Sequence, residues 1–560
     1  LKIFKLLITT AALAASTASQ AQSEIVVTAL RTPTNIENTG TQVTIVDSDE
    51  IKNRQTASVA EILATLPGIT IDRSGNMGSF SSVRIRGAEG AQTLVLLDGV
   101  RMNDVAEPAA GFDFGSLVTG NIDRIEVLRG PSSVLWGSQA VGGVVSLSTR
   151  SPSETLTSTA RGEYGYADTV RTYADASDTL GPVSYLVGGG YERSDGISAA
   201  ADGSERDGFR AAAANAKVGI RLSDNVSLDL RSNYLGTRFS FDGFPPPSYT
   251  LADTSEYSET NSFSGYAGLN VSLFDNKVKN RLSYSRVKIN RYNYEDNDVE
   301  NFHSAGINER FEYQSTIALG SHKAIVGYEH EASNLDTRYN YSGWIGGNSA
   351  SANVDSVYSQ LSTQPLTNLN INAGLRRDWH SSYGNETTFG ADGVYTLNNT
   401  TFRASYGEGF KAPTLYQLFG DYGNQNLLAE TAKGWDAGVS HRFGKRVELT
   451  TNYFNRNTRN QIDFDLGTYT YSNLNKTSAE GFEVIADINP IDSLKVSANY
   501  TYTESKDSNT GLDLRRRPNH TFSIRGDYVW DNGLATGATV RYSGASYEDV
   551  ANTNRLDSYV

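Results

Sequence analysis

The chain has no cysteine in 560 residues. An exported protein of that length then has no disulfides, so its stability has to come from size and from sheet closure. Nor is there an excess of basic residues: 49 Lys and Arg stand against 63 Asp and Glu, a net charge of -14. That balance argues against nucleic acid as the main partner. Beyond the first two dozen residues no apolar run approaches the roughly 20 residues that a membrane-crossing helix needs. Hydrolytic motifs are missing as well. No Gly-x-Ser-x-Gly elbow occurs, and His330-Glu331 is followed by Asn334 where a zinc protease needs its second histidine. These absences argue against an enzyme.

What the chain does have is 31 Tyr and 52 Gly, with only 38% hydrophobic residues and a mean hydropathy of -0.41. That composition fits a transmembrane β-barrel, where alternate residues face lipid and aromatics ring both interfaces. A soluble all-β array is the rival, and the region from about Thr155 onward decides between them. Val218, Ile220 and Leu222 alternate with polar residues up to a turn at Ser223-Asp224-Asn225, and Val226, Leu228 and Leu230 resume the pattern. Phe482, Val484, Ala486 and Ile488 reach Asn489-Pro490, and Leu494, Val496, Ala498 and Tyr500 return. Each run has the parity of a strand with one apolar face. Connections alternate between short turns and long loops of Gly, Asp, Asn and Ser, as periplasmic turns and extracellular loops do. A propeller needs a blade repeat of fairly fixed length, and none is visible. About nineteen strands can be followed, with a twentieth starting near Leu556, against the even numbers of bacterial barrels. Because open edges in lipid are prohibitively costly, the expectation is an all-β barrel of about 22 strands, the final ones missing from a truncated chain.

The front portion differs. Lys2 and Lys5 flank an apolar stretch from Leu6 to Ala15, and Ser19-Gln20-Ala21 makes a small-x-small exit. Residues 1–21 therefore read as a secretory signal peptide. Leu1 in place of Met points to an unusual start codon or a clipped chain. Glu24-Ile25-Val26-Val27-Thr28-Ala29, within a segment 22–30, is short, apolar and β-prone. At a flexible terminus such a peptide suits addition to the sheet edge of a partner. Residues 31–150 carry mixed α/β signals, with a helix-like stretch from Asp49 to Leu66 and a strand from Ile69 to Asp72. A globular unit ahead of a large barrel (151–560) fits the lumen as a plug. Two of its turns mix small, polar and apolar residues, suiting a large amphipathic ligand: Asn76, Met77, Ser79 and Phe80 in one, Glu107, Pro108 and Ala109 in the other. Arg84, Arg86 and Arg129 read as structural, since a plug in a polar lumen needs charge-assisted bonds to barrel carboxylates.

Glu24 to Ala29 resembles the energy-coupling box of TonB-dependent outer-membrane receptors. Val83-Arg84-Ile85-Arg86-Gly87, Leu96-Leu97-Asp98-Gly99-Val100, the run from Ile122 to Pro131 and Trp136-Gly137-Ser138-Gln139-Ala140 resemble their plug. Gly409-Phe410-Lys411-Ala412-Pro413-Thr414 is similar to their mid-barrel signature. The likeness spans nearly the whole chain. It implies a Gram-negative outer-membrane location after signal-peptide cleavage, contact with lipid and lipopolysaccharide, and TonB as the partner that delivers work. Such work answers a physical need, because tight binding of a scarce ligand makes release slow.

Within the family the chain looks most like cobalamin receptors, through Ser194 to Ala200 and Glu205 to Phe209. In those receptors carboxylates of neighbouring extracellular hairpins hold calcium. By position the likeness carries over to Asp195, Glu205, Asp207, Asp242 and Asp253, with Glu205 standing where an Asp is expected. Flexible acidic loops can supply the several oxygens a hard cation requires. No other cofactor is implied. The implied cargo is cobalamin, with a ferric-siderophore receptor as the alternative, since it shares the architecture. A haem receptor is disfavoured, as none of the six histidines falls between Phe410 and Asn426. A passive porin would need neither plug nor coupling box.

Overall fold

The computed structural model describes residues 25–560 apart from 57, 110, 118, 119, 121, 202, 246, 296, 297, 342 and 343. Residues 1–21, expected to be a signal peptide, and Glu24 lie outside the described residues. Nineteen antiparallel strands, from Thr157–Gly165 to Ala535–Ser543, form one sheet in which each strand pairs with its sequence neighbours. Side-chain parity shows why it is a membrane wall. In Val299–Leu319, Glu312 is 7% exposed while Phe311 and Tyr313 on either side are each 40% exposed. In Thr470–Ile491, Glu483 is buried and Phe482 is exposed. The period of two thus sends carboxylates into the lumen and aromatics outward.

Turns at one rim are short, as at 224–225 and at 398–399, where Asn398 adopts φ of 52°. At the other rim the long loops expected from composition are fewer. Residues 195–208, 412–429 and 508–519 leave the ladder, whereas hairpins such as Val278–Glu295 with Val299–Leu319 continue as paired strands of 18 and 21 residues. About 9–11 residues suffice to cross a bilayer, so pairing extends well past the lipid. The strand expected near Leu556 also differs. Arg555–Leu556 pairs with Ser546–Tyr547 in a separate ladder, because the Asp549 carboxylate gathers the amides of Thr553 and Asn554 at 3.0 and 2.7 Å and folds the segment back. A single bridge joins Ser543 to Tyr559.

The plug is built on a five-stranded sheet in the order Val43–Val46, Ile122–Arg129, Gly143–Thr149, Thr93–Leu97, Val100–Arg101, with the Thr93 and Gly143 strands parallel. The single helix expected from Asp49 to Leu66 is two, Ser48–Arg54 and Val59–Leu63. Gln55 turns left-handed at φ 50°, and Ser58 starts the second helix by accepting from the Glu61 amide. Ile62, Leu63, Ile85, Ile125, Val127 and Val145 are fully buried in one core, which Val287 and Ile289 of the barrel wall complete. Each such side chain contributes roughly 1.5–3 kcal/mol by burial, and part of that core is shared with the wall. Plug and barrel are packed together.

Candidate functional site

Residues 25–29, the segment expected to do the coupling, are folded away. Ile25 and Val26 pair with Asn35 and Thr34. The Val27 and Thr28 amides donate to Glu126 Oε2 at 3.1 and 2.9 Å, and Thr28 Oγ1 donates to the same oxygen at 2.5 Å. Arg124 braces the arrangement, donating to Ile25 O at 2.5 Å and to Glu126 Oε1 at 2.8 Å. Trp136 Nε1 donates to Thr28 O at 2.8 Å, and Ala29 packs on the cluster of Leu94, Leu96 and Leu128. The free, flexible terminus expected from sequence is thus corrected for residues 25–29. Val26 and Thr28 are buried, while Ile25 and Val27 face outward. One carboxylate 98 residues away makes the difference.

Between plug and wall, Arg86 Nε and Nη2 donate to Glu483 Oε1 and Oε2 at 2.9 and 2.8 Å, a bidentate pair. Arg129 lies 3.8 Å from the same carboxylate, and Arg86 sits 4.6 Å above the Phe454 ring. Arg84 donates to Asp72 at 2.7 Å within the plug and to Arg516 O at 3.1 Å in the barrel. These are the partners that the sequence could not name.

At the loop rim, carboxylate oxygens of Glu205, Asp242 and Asp253 lie within 4.8 Å of one another. Asp242 accepts from the Ala200 and Thr254 amides at 2.6 and 3.1 Å, and Asp253 from the Ser204 amide at 2.7 Å. Asp207 is 2% exposed, and its Oδ2 accepts from the Ala199 amide at 2.8 Å. Its Oδ1 and Glu205 Oε1 are buried with no N–H or hydroxyl donor among the described residues, and the two acids hydrogen-bond each other when Glu205 is protonated. Burial, then the charges of Asp207, Asp242 and Asp253, push the Glu205 carboxyl up to about 7. Burial also raises Asp207. Crowded, buried acids that only a shared proton serves are the donor set a hard cation fits. Asp195 stands apart, paired with Arg193 at 2.7 Å and Arg206 at 3.7 Å.

The first plug turn reaches this cluster. Asn76 Nδ2 donates to Ile197 O and, at 3.4 Å, to Asp207 Oδ2. Ser79 Oγ closes the turn on Asn76 O at 2.7 Å, leaving Met77 and Phe80 half-buried beside it. In the second turn Glu107 Oε2 accepts from the Ala109 and Gly111 amides, both at 2.8 Å, so its carboxylate shapes its own loop. Thr414 Oγ1 donates to Pro108 O at 2.9 Å, fastening that turn to the wall. An aromatic wall escaped the sequence reading. Tyr416 and Phe464 both pack edge-on against Tyr471, at 6.3 and 5.4 Å, and Tyr422 meets Phe464 at 5.6 Å. The crowding of Phe464, Tyr469 and Tyr471 around a turn was its only sequence signal. His330 and Glu331 point to opposite faces, the first to Asp355 at 2.9 Å and the second to Arg310 at 3.5 Å, so they share no site.

Comparison with known proteins agrees with this architecture. Residues 146–560 match the TonB dependent receptor-like beta-barrel and residues 35–144 the TonB-dependent receptor plug domain. Among solved structures, the chain resembles the ferric enterobactin receptor PfeA of Pseudomonas aeruginosa at 20% identity, covering 92% of this chain and 89% of that one with a TM-score of 0.80. The siderophore receptor PirA of Acinetobacter baumannii is 17% identical, with 92% and 90% covered and a TM-score of 0.77. The ferric yersiniabactin uptake receptor FyuA of Yersinia pestis is 18% identical, with 93% and 89% covered and a TM-score of 0.78. With a plug packed into a strand-built wall and both parts matched over nearly the whole length, the chain belongs to the TonB-dependent receptor family.

Proposed function

We propose that this protein imports a scarce, bulky metal chelate across the outer membrane, using work that TonB delivers through residues 24–29. The observation that carries the reading is that one packed plug bears both ends of the device. Its sheet strand holds the coupling segment through Glu126, and its Asn76 turn bonds the acidic loops. A pull on the first is therefore transmitted to the second.

The siderophore receptors among the structural neighbours support a ferric siderophore as cargo more than cobalamin. The aromatic wall around Tyr471 agrees, because ring faces suit flat aromatic chelating groups. Cobalamin is the second reading, and the cluster of Glu205, Asp207, Asp242 and Asp253 is what favours it. Bound calcium there would tie the 195–208 loop to the hairpin carrying Asp242 and Asp253. Equilibrium binding to purified receptor, with a panel of ferric siderophores and cobalamin in the presence and absence of calcium, tests both. Saturable siderophore binding indifferent to calcium is expected on the first reading. Cobalamin binding that calcium tightens would replace it with the second, and no binding of either class would remove both.

The pH dependence is explicit. Glu205 keeps its proton up to about 7, above its unfolded value. In the cation-free protein its negative form is therefore disfavoured, and the loops lose stability as pH rises toward 7. Calcium must displace that proton, so its apparent affinity falls about tenfold per pH unit below 7. Calorimetric titration between pH 5.5 and 8 should show this, and Glu205→Gln should flatten it. A pH-independent affinity in the unaltered protein would take Glu205 out of the site.

A further inference from the structure

The plug meets the wall by two different chemistries. Its apolar clusters borrow Leu235, Tyr266, Val287, Ile289, Ile325 and Tyr358 from an arc of strands running from Val226–Gly243 to Trp344–Leu366. Among the described residues, no side chain beyond Phe419 joins a cluster that contains plug residues. Five strands further along the sheet, Thr470–Ile491, Leu494–Asp507 and His520–Val529 present small polar groups and charge instead. Asn499 Nδ2 donates to Thr65 O at 2.9 Å, and Thr501 Oγ1 accepts from the Gly68 amide at 2.9 Å. Ser505 sits so close to Gly87 that a Cβ on the glycine would lie 3.1 Å from the serine's own. The remaining contacts are ionic, Glu483 with Arg86 and Arg517 with Glu89.

This polar seam is also loosely closed. Below it a cavity of about 350 Å³ separates Thr65, Leu66 and Pro67 of the plug from Ser497, Asn499 and Ser523 of the wall. The cavity reaches the short-turn rim at Arg442, whose side chain is half exposed. Every wall strand around it is paired on both sides, whereas the larger gap beside Asn76 and Met77 borders Thr157–Gly165, which pairs on one side only. Along the seam Arg129 Nε, Arg456 Nε and Ser505 Oγ are buried without an acceptor among the described residues. Such donors are costly on a dry face and cheap on one that water enters. The closed stretch from Asn499 to Ser505 is only about 20 Å of strand. The first strands of the sheet are polar too, with Lys217 2.7 Å from Asp98, but there the Phe209 ring closes over Gly78.

Parting these two contacts has unequal costs. Hydrogen bonds given up to water are replaced by bonds to water, and a separated ion pair recovers the hydration it lost on burial. Apolar surface receives no such replacement. Resting on the import function proposed above, we propose that the plug stays seated on its apolar arc and swings open along the Asn499–Ser505 seam. Cargo then passes between plug and wall on that side and leaves through the cavity below.

The chain has no native cysteine, so single cysteines report each side separately. Thr501→Cys and Ser505→Cys mark the seam, Val287→Cys and Ile289→Cys the arc, and all four positions are buried at rest. Purified receptor in detergent is held in urea below the midpoint of plug unfolding and treated with a water-soluble maleimide. Seam cysteines should label at least about tenfold faster than arc cysteines, because local openings within one fold differ in free energy. Equal rates, or a faster arc, overturn the hinge. The same variants are then labelled in cells given cobalamin or ferric siderophores of catecholate and hydroxamate type. Seam labelling should rise during uptake and fall when an uncoupler is added, with the arc unchanged. Arc and seam labelling together would mean that the plug leaves whole, and an unlabelled seam during uptake would place the route elsewhere; either result overturns the proposal. Cells that take up none of these compounds would count against the import reading instead, and the urea comparison still decides the hinge.

Discussion

Val26→Pro is expected to abolish ligand uptake by cells while surface binding stays at the level of the unaltered receptor. An added strand is held by main-chain hydrogen bonds, and proline removes the amide donor and fixes φ. Val26 is fully buried in the resting arrangement and pairs with Thr34, so the substitution also disturbs the stowed segment. Val27→Pro separates these effects. Val27 is exposed, and its amide serves the Glu126 carboxylate, so proline there loosens the stowed state while spoiling strand addition. If stowage were the segment's only role, Val27→Pro would import normally or faster. Both variants are expected to fall to the background of a cell lacking TonB. Uptake is measured with whichever chelate the binding panel identifies, alongside binding to de-energised cells. Normal uptake by either variant would sink the coupling role of residues 24–29.

Glu483→Ala is expected to unseat the plug. Glu483 is the carboxylate that Arg86 grips with two bonds and that Arg129 faces at 3.8 Å. Removing it leaves two buried guanidiniums against Asp436, which lies 3.7 Å from Arg86. Breaking such a buried pair costs about 3–5 kcal/mol. At ordinary urea sensitivities the midpoint for plug unfolding should fall by about 1–5 M. Glu483→Gln, which keeps volume and acceptor oxygen, should lose less. The readout is a fluorescent label on the plug, with barrel integrity followed separately by gel mobility. A midpoint unchanged in Glu483→Ala would show that the shared apolar core, not this ion pair, holds the stopper.

The wall was legible because its code is local. Val218, Ile220 and Leu222 declare their face within five residues, and the Ser223 turn fixes the register of the next strand. The rim was less so, since hairpins such as that of Glu295 and Val299 keep pairing where composition suggests loop. What failed was long-range. Nothing near Val27 announces Glu126, and nothing near Arg86 announces Glu483, because both partners are set by how chain far apart in sequence folds back. The acidic cluster was named only through the family likeness. The structure gathers Glu205, Asp242 and Asp253 and leaves Asp195 with arginines, a sorting that depends on where Arg193 and Arg206 point. The aromatic wall needed three dimensions, as Tyr416 comes from the helix Leu415–Phe419 and Tyr471 from the start of the strand Thr470–Ile491.

On the function proposed above, the grip of Glu126 on two amides and a hydroxyl sets a toll on recognition from the periplasm. A docking strand can engage only molecules whose handle has let go, so observed affinity is the intrinsic value divided by the open fraction. A handle free about 1% of the time binds about a hundredfold more weakly than a bare peptide. Receptors whose segment stays stowed would thus leave the energised partner free.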